Sequence, residues 1–162
     1  MVMPDPYSLR RKHPAVREYG YVKTSEKDTG YNCVAWAAGM TTSHWWPLEI
    51  LSDDCYWPPG MPCHDESVPT FIAAFATLGY LPCKDGTLER DYEKVAIYAK
   101  GGSVVHMARQ MVDGQWTSKW GAMGIDLSHR IETFEDSTKY GPSDYGRVAQ
   151  YLRRKRPSPR HE

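Results

Sequence analysis

The sequence predicts an α+β domain in which N-terminal helices pack on an antiparallel sheet. Two helix-forming runs come early, GYNCVAWAAG at 30–39 and SVPTFIAAFATLG at 67–79. Three strand-forming runs follow in close order: EKVAIYA at 93–99, SVVHMARQM at 103–111 and QWTSKWG at 115–121. Glycine-bearing turns separate them, KGG at 100–102 and VDG at 112–114, which predicts a three-stranded meander.

The chain has 162 residues, enough for one domain. The expected boundaries are 1–153 for the domain and 154–162 for a disordered basic tail. Residues 1–29 are polar and hold Pro4, Pro6 and Pro14. They predict an irregular lead-in with a short strand at Tyr19–Val22. The helix at 31–39 has cap candidates in Thr29 and Asn32 and a stop at Gly39. Residues 43–66 carry Pro47, Pro58, Pro59 and Pro62 among Trp45, Trp46 and Trp57, so no long helix fits. An ordered aromatic loop is expected there, packed over the core or rimming a site. In the next helix Ser67 is the cap candidate and Pro69 sits just inside the start. Phe71, Ile72, Phe75 and Leu78 give it one apolar face, and Gly79 ends it. GYLPC at 79–83 predicts a short strand. IDLSHRIETF at 125–134 predicts a loop and a short helix. YGRVAQYLRR at 145–154 predicts a final strand from its aromatic and β-branched content.

Composition excludes some classes of function. Lysine plus arginine equals aspartate plus glutamate at 20 each, so no global field favours nucleic acid or a membrane surface. The basic run at 153–156 is expected to be a solvated end. The opening MVMPDPYSLRRKHP has no apolar core of a signal peptide, and no run is long enough to span a bilayer. A cytoplasmic location with reduced thiols is expected, and export without a cleavable signal stays open. No cofactor is expected. Cys55, Cys63, His64 and Cys83 are spaced poorly for structural zinc, and a Cys55–Cys63 disulfide requires export.

Chemistry points to Cys33. A thiol in the first turn of a helix feels the positive end of the helix dipole, which favours the nucleophilic thiolate. His106, inside a predicted strand, is the candidate base. Its second nitrogen wants an acceptor. Asp126 ranks first, Ser118 second, and His129 is also open. Main-chain N–H groups at the helix start, that of Cys33 included, would hold an oxyanion. Asn32 either adds a donor there or caps the helix. Trp36, Trp45, Trp46 and Trp57 are candidate substrate-contacting residues. Arg109 falls on the opposite strand face from His106 and reads as a structural charge, like Gln110 and the acidic pair Asp53–Asp54.

The motifs YNCVAWAAG, HMARQ, DGQWTSKWG and IDLSH, in this order over roughly 30–155, resemble a family of small bacterial proteins of unknown function. That family is similar in motif order to the papain-like and NlpC-like cysteine peptidases. The resemblance implies a papain-like fold, with Cys33 as nucleophile and His106 as base. In the NlpC-like enzymes a catalytic histidine opens the first strand motif; here Lys94 precedes VAIY. On that alignment the base is missing, whereas the papain-like alignment retains His106. The expected function is a thiol hydrolase, amidase or acyltransferase acting on an amide or ester. Its substrate would be a peptide, an isopeptide, a glutamine side chain or a cell-wall amide. The alternative is a non-catalytic binding or immunity-type module that engages a protein partner through the loop at 43–64.

Overall fold

The computed structural model describes residues 9–48, 55–120 and 124–157. Asp53–Asp54 and most of the expected tail lie outside them. The chain is a mixed helix and sheet fold, as the sequence predicts. One seven-stranded sheet dominates, with the order β1-β8-β7-β6-β5-β9-β4 and antiparallel pairing throughout.

The predicted meander forms its middle: β5 at Tyr92–Lys100, β6 at Ser103–Gln110 and β7 at Trp116–Trp120. Gly101 and Gly102 join β5 to β6 with φ of 60° and 83°. A two-residue hairpin turn needs both central residues in that region, which glycine enters without strain. β9 at Arg147–Lys155 then returns beside β5. At their junction Gly146 has φ 64°, and a Cβ there would stand 2.3 Å from the Ala99 carbonyl oxygen.

Several elements differ from expectation. The lead-in is helical before it is extended: α1 spans Leu9–Lys12 and α2 spans Val16–Tyr19. β1 follows at Tyr21–Lys23 and pairs with β8. Residues 125–129 are strand β8, not a loop, and a 3-10 helix at Ile131–Phe134 follows. Trp116 to Trp120 bonds along all of β8, so the meander continues through a fourth strand. α3 is short, Cys33–Ala37, while α4 covers Val68–Ala76. The aromatic loop contains β2, His44–Trp45, and β3, Cys55–Tyr56, paired in parallel. β4, Leu81–Cys83, is an outer strand paired with β9. Pro82 is tolerated there because an outer strand has one unpaired edge. β9 reaches Lys155, so the sheet takes the first residues of the expected tail.

Apolar cores lie on both faces of the sheet. The first joins α3, α4 and the aromatic loop to Val95, Ile97, Val104, Met107 and Leu152. The second joins Leu9, Val16, Ile131 and Phe134 to Ala96, Tyr98, Ala108, Trp116, Trp120, Ile125 and Leu127. Among the described residues no helix is long and apolar enough to cross a membrane.

The aromatic loop belongs to the first core. Trp45 and Trp57 are 3% and 2% exposed. Trp57 packs edge-on to Phe71 and donates its indole N–H to the Pro62 carbonyl at 2.8 Å. Trp57→Ala should therefore lower stability by about 3–5 kcal/mol, read as a shift in the urea midpoint at unchanged slope.

Candidate functional site

α3 begins where the sequence places it. Asn32 accepts from Ala35 N–H at 3.0 Å through its side-chain oxygen, and the same oxygen accepts from Trp45 N–H. Its amide nitrogen donates to the Trp45 carbonyl. Asn32 is thus the cap and the clasp to the aromatic loop, with both side-chain polar atoms engaged. Cys33 follows as the first helical residue.

The Cys33 thiol lies against β6. Main-chain N–H groups of Met107, Val34 and Cys33 itself lie on the sulfur's side and favour thiolate. Burial outweighs them and pushes the thiol up to about 11. At neutral pH the group is a thiol.

His106 follows the alternation of β6. Met107 belongs to the core under α3, and the His106 ring lies in the aromatic cluster of the second core. It stacks on Tyr145 at 3.9 Å and meets Tyr98 and Phe134. Its Nε2 has no hydrogen-bond partner, so no such bond joins it to Cys33. Burial first, then the neighbouring His129 and His13, hold the ring well below its usual range and therefore neutral.

The orienting candidates divide in the same way. Ser118 is fully buried and bonds His129 Nε2 at 2.7 Å rather than His106. Asp126 accepts from the Tyr31 hydroxyl at 2.7 Å. Its cross-strand partner is Lys119, whose ammonium lies 3.8 Å from the Tyr31 ring centroid. Lys119 Nζ and Asp126 Oδ1 are both buried without a hydrogen-bond partner. Burial lowers the Lys119 pKa, while Asp126 and Asp28 oppose the shift. The structure therefore brings together Tyr31, Lys119 and Asp126, and separately His129 and Ser118. Sequence reasoning missed Tyr31 and Lys119 because neither residue type marks a site without its neighbours.

The remaining candidates have structural partners. Trp36 donates its indole N–H to Thr117 Oγ1 at 3.0 Å and carries the Arg109 guanidinium over its ring. Trp46 donates to Glu66 and packs on Phe71. Gln110 donates to the Gly86 carbonyl. Lys94 is buried and pairs with Glu89 at 2.8 Å and Asp85 at 3.5 Å. Cys55, Cys63 and Cys83 are free thiols. Among the described residues no group of three or more His, Cys, Asp or Glu side chains could hold a metal ion.

A wide concavity lies elsewhere. A groove of about 830 Å³ runs between α2–β1 and the 3-10 helix on one side and residues 86–88 and 113–114 on the other. Trp116, Tyr151 and His129 line it between these walls. Gly86 lets main chain lie directly on the aromatic rings, since a Cβ there would stand 2.7 Å from Tyr151 and 3.1 Å from Trp116. Val22 and Leu88 line the groove and are 64% and 53% exposed. Val112, beside the lining residue Asp113, is 72% exposed.

A family model described as a domain of unknown function, DUF7689, matches residues 22–153. The chain belongs to this family. No curated protein and no solved structure matches it. The DUF7689 match contains Cys33, His106, Ser118 and Asp126, together with most of the groove lining.

Two outcomes test this geometry in the DUF7689 domain. In a variant with Cys55, Cys63 and Cys83 changed to serine, iodoacetamide at pH 7.5 should alkylate Cys33 about 100-fold more slowly than a free cysteine, followed by intact mass. Asp126→Ala removes the Tyr31 acceptor and the carboxylate facing Lys119. It should cost about 3 kcal/mol in chemical denaturation.

Proposed function

We propose that this domain is a non-catalytic binding module and that its ligand is an extended polypeptide segment lying in the groove floored by Trp116 and Tyr151. One observation carries the reading: exposed aliphatic side chains, Val22 and Leu88, converge on an aromatic-lined groove. Exposed apolar groups around an aromatic-lined concavity fit a binding surface. The volume lies within the range of ligand sites. The aliphatic rim suits peptide side chains. This places the interaction on a different surface from the 43–64 loop, whose Trp45 and Trp57 are core residues.

A thiol hydrolase on a papain-like framework is the second reading. The convergence of three main-chain N–H groups on the Cys33 sulfur favours it, because the same donors suit an oxyanion. The thiol held protonated at neutral pH and the unpartnered His106 Nε2 speak against it.

A displayed library of random peptides, panned on the wild type, tests the first reading. Enriched peptides should carry apolar or aromatic residues. They should bind a Val22→Asp, Leu88→Asp double variant at least about tenfold more weakly. Absence of enrichment, or equal binding to the double variant, would overturn the groove as the ligand site.

A further inference from the structure

We infer that the groove is gated by pH: His13, His106 and His129 form a buried cluster behind it, and their protonation loosens the wall made by α2, β1 and the 3-10 helix. The inference rests on the groove being the ligand site.

Phe134 is the hub of the cluster. Its ring contacts His13 at 4.9 Å, His129 at 4.5 Å and His106 at 5.8 Å. Phe134 ends the 3-10 helix whose Ile131 and Glu132 line the groove. Thr133 in the same turn donates to the Gly20 carbonyl, which ties this helix to the α2–β1 turn. Tyr145 adds a second bridge, stacked on His106 and 4.3 Å from the His13 ring centroid. His129 itself lines the groove. Charge placed on any of the three rings therefore acts on the elements that shape the wall.

The surroundings are built for neutral imidazole. His13 Nδ1 and His129 Nε2 meet the hydroxyls of Ser143 and Ser118, and His129 Nδ1 meets the Arg130 carbonyl. His13 Nε2 and His106 Nε2 are buried with no partner, so an added N–H there would have no acceptor. The charged and titratable neighbours are Lys12 and Asp144 beside His13, and Tyr98 and Tyr145 around His106. Arg130 and Glu132 flank His129 in the groove wall, and Glu135 follows Phe134. Among the described residues no carboxylate hydrogen-bonds or ion-pairs with the three rings.

The direction follows from linkage. Burial lowers His13 and His129 from 6.5 to about 4. An opened state takes up a proton below pH 6.5 that the closed state refuses until about pH 4, so acid favours opening across that window. Opening that frees one of these rings becomes about 30-fold more favourable between pH 7.5 and 5.0.

Amide hydrogen exchange on the full chain at pH 7.5 and 5.0, corrected for intrinsic rates, tests this. At pH 5.0 protection should fall by about 30-fold or more in 13–21, 129–134 and 143–146. Amides of α4 and β5 should keep theirs. In His129→Gln the loss should shrink. Unchanged protection in those three segments, a uniform loss that includes α4 and β5, or a loss undiminished in His129→Gln each overturns the gate. The measurement uses no ligand, so its failure is distinct from failure of the peptide selection.

Discussion

A sheet with no solvent face at its centre is the constraint on which the rest of this structure depends. From Glu93 to Tyr98 every residue of β5 is buried, with β6 and β9 as hydrogen-bonded neighbours and an apolar core against each face. Both faces must be covered, and short helices and loops do the covering. That is why Trp45 and Trp57 are core residues although they sit in a proline-rich loop. It is also why a charged residue near the centre, such as Glu93 or Lys94, is held by ion pairs to Arg154 and Glu89. An unpaired charge at such a site would carry a desolvation cost of several kcal/mol.

The same constraint fixes how much of the molecule the sequence reveals. The β5–β6–β7 meander was legible because its turns are glycine-bearing and its strands rich in valine, tyrosine and tryptophan. The helix starts at Cys33 and Val68 were legible from Asn32, Ser67 and Pro69. The sequence predicts a loop in place of β8 because IDLSH carries Asp126, Ser128 and His129 at strand positions, and single polar residues there resemble a turn. Asp126 and His129 are buried, Asp126 accepting from Tyr31 through one oxygen and His129 bonding Ser118. The groove was invisible because its lining comes from five separated segments, and no spacing in sequence connects Leu88 to Tyr151.

Which face of β6 receives His106 was illegible for a sharper reason. Alternation identifies a strand's inner face when the other face is polar. Val104, Val105, Met107 and Ala108 are apolar on both sides of His106, because both faces are packed. Sequence order gives cysteine on a helix and histidine on a later strand. It does not say whether the histidine faces that helix. Here Met107 meets the core under α3 while the His106 ring stacks on Tyr145.

Desolvation then decides the chemistry of both groups. Burial favours the neutral form of each, so it raises a thiol and lowers an imidazole, and the two shifts oppose formation of a thiolate–imidazolium pair. The three N–H donors around Cys33 are too weak to reverse the balance: with them present the thiol still sits near 11. Both groups are therefore neutral at pH 7, and charging either works against its burial. The proposed binding site falls where the second cover of the sheet is incomplete, between residues 86–88 and the α2–β1 turn. There Trp116 and Tyr151 lie on the floor of a groove with Val22 and Leu88 exposed at its sides. A ligand strand laid in that gap would complete the burial that the rest of the sheet achieves with its own chain.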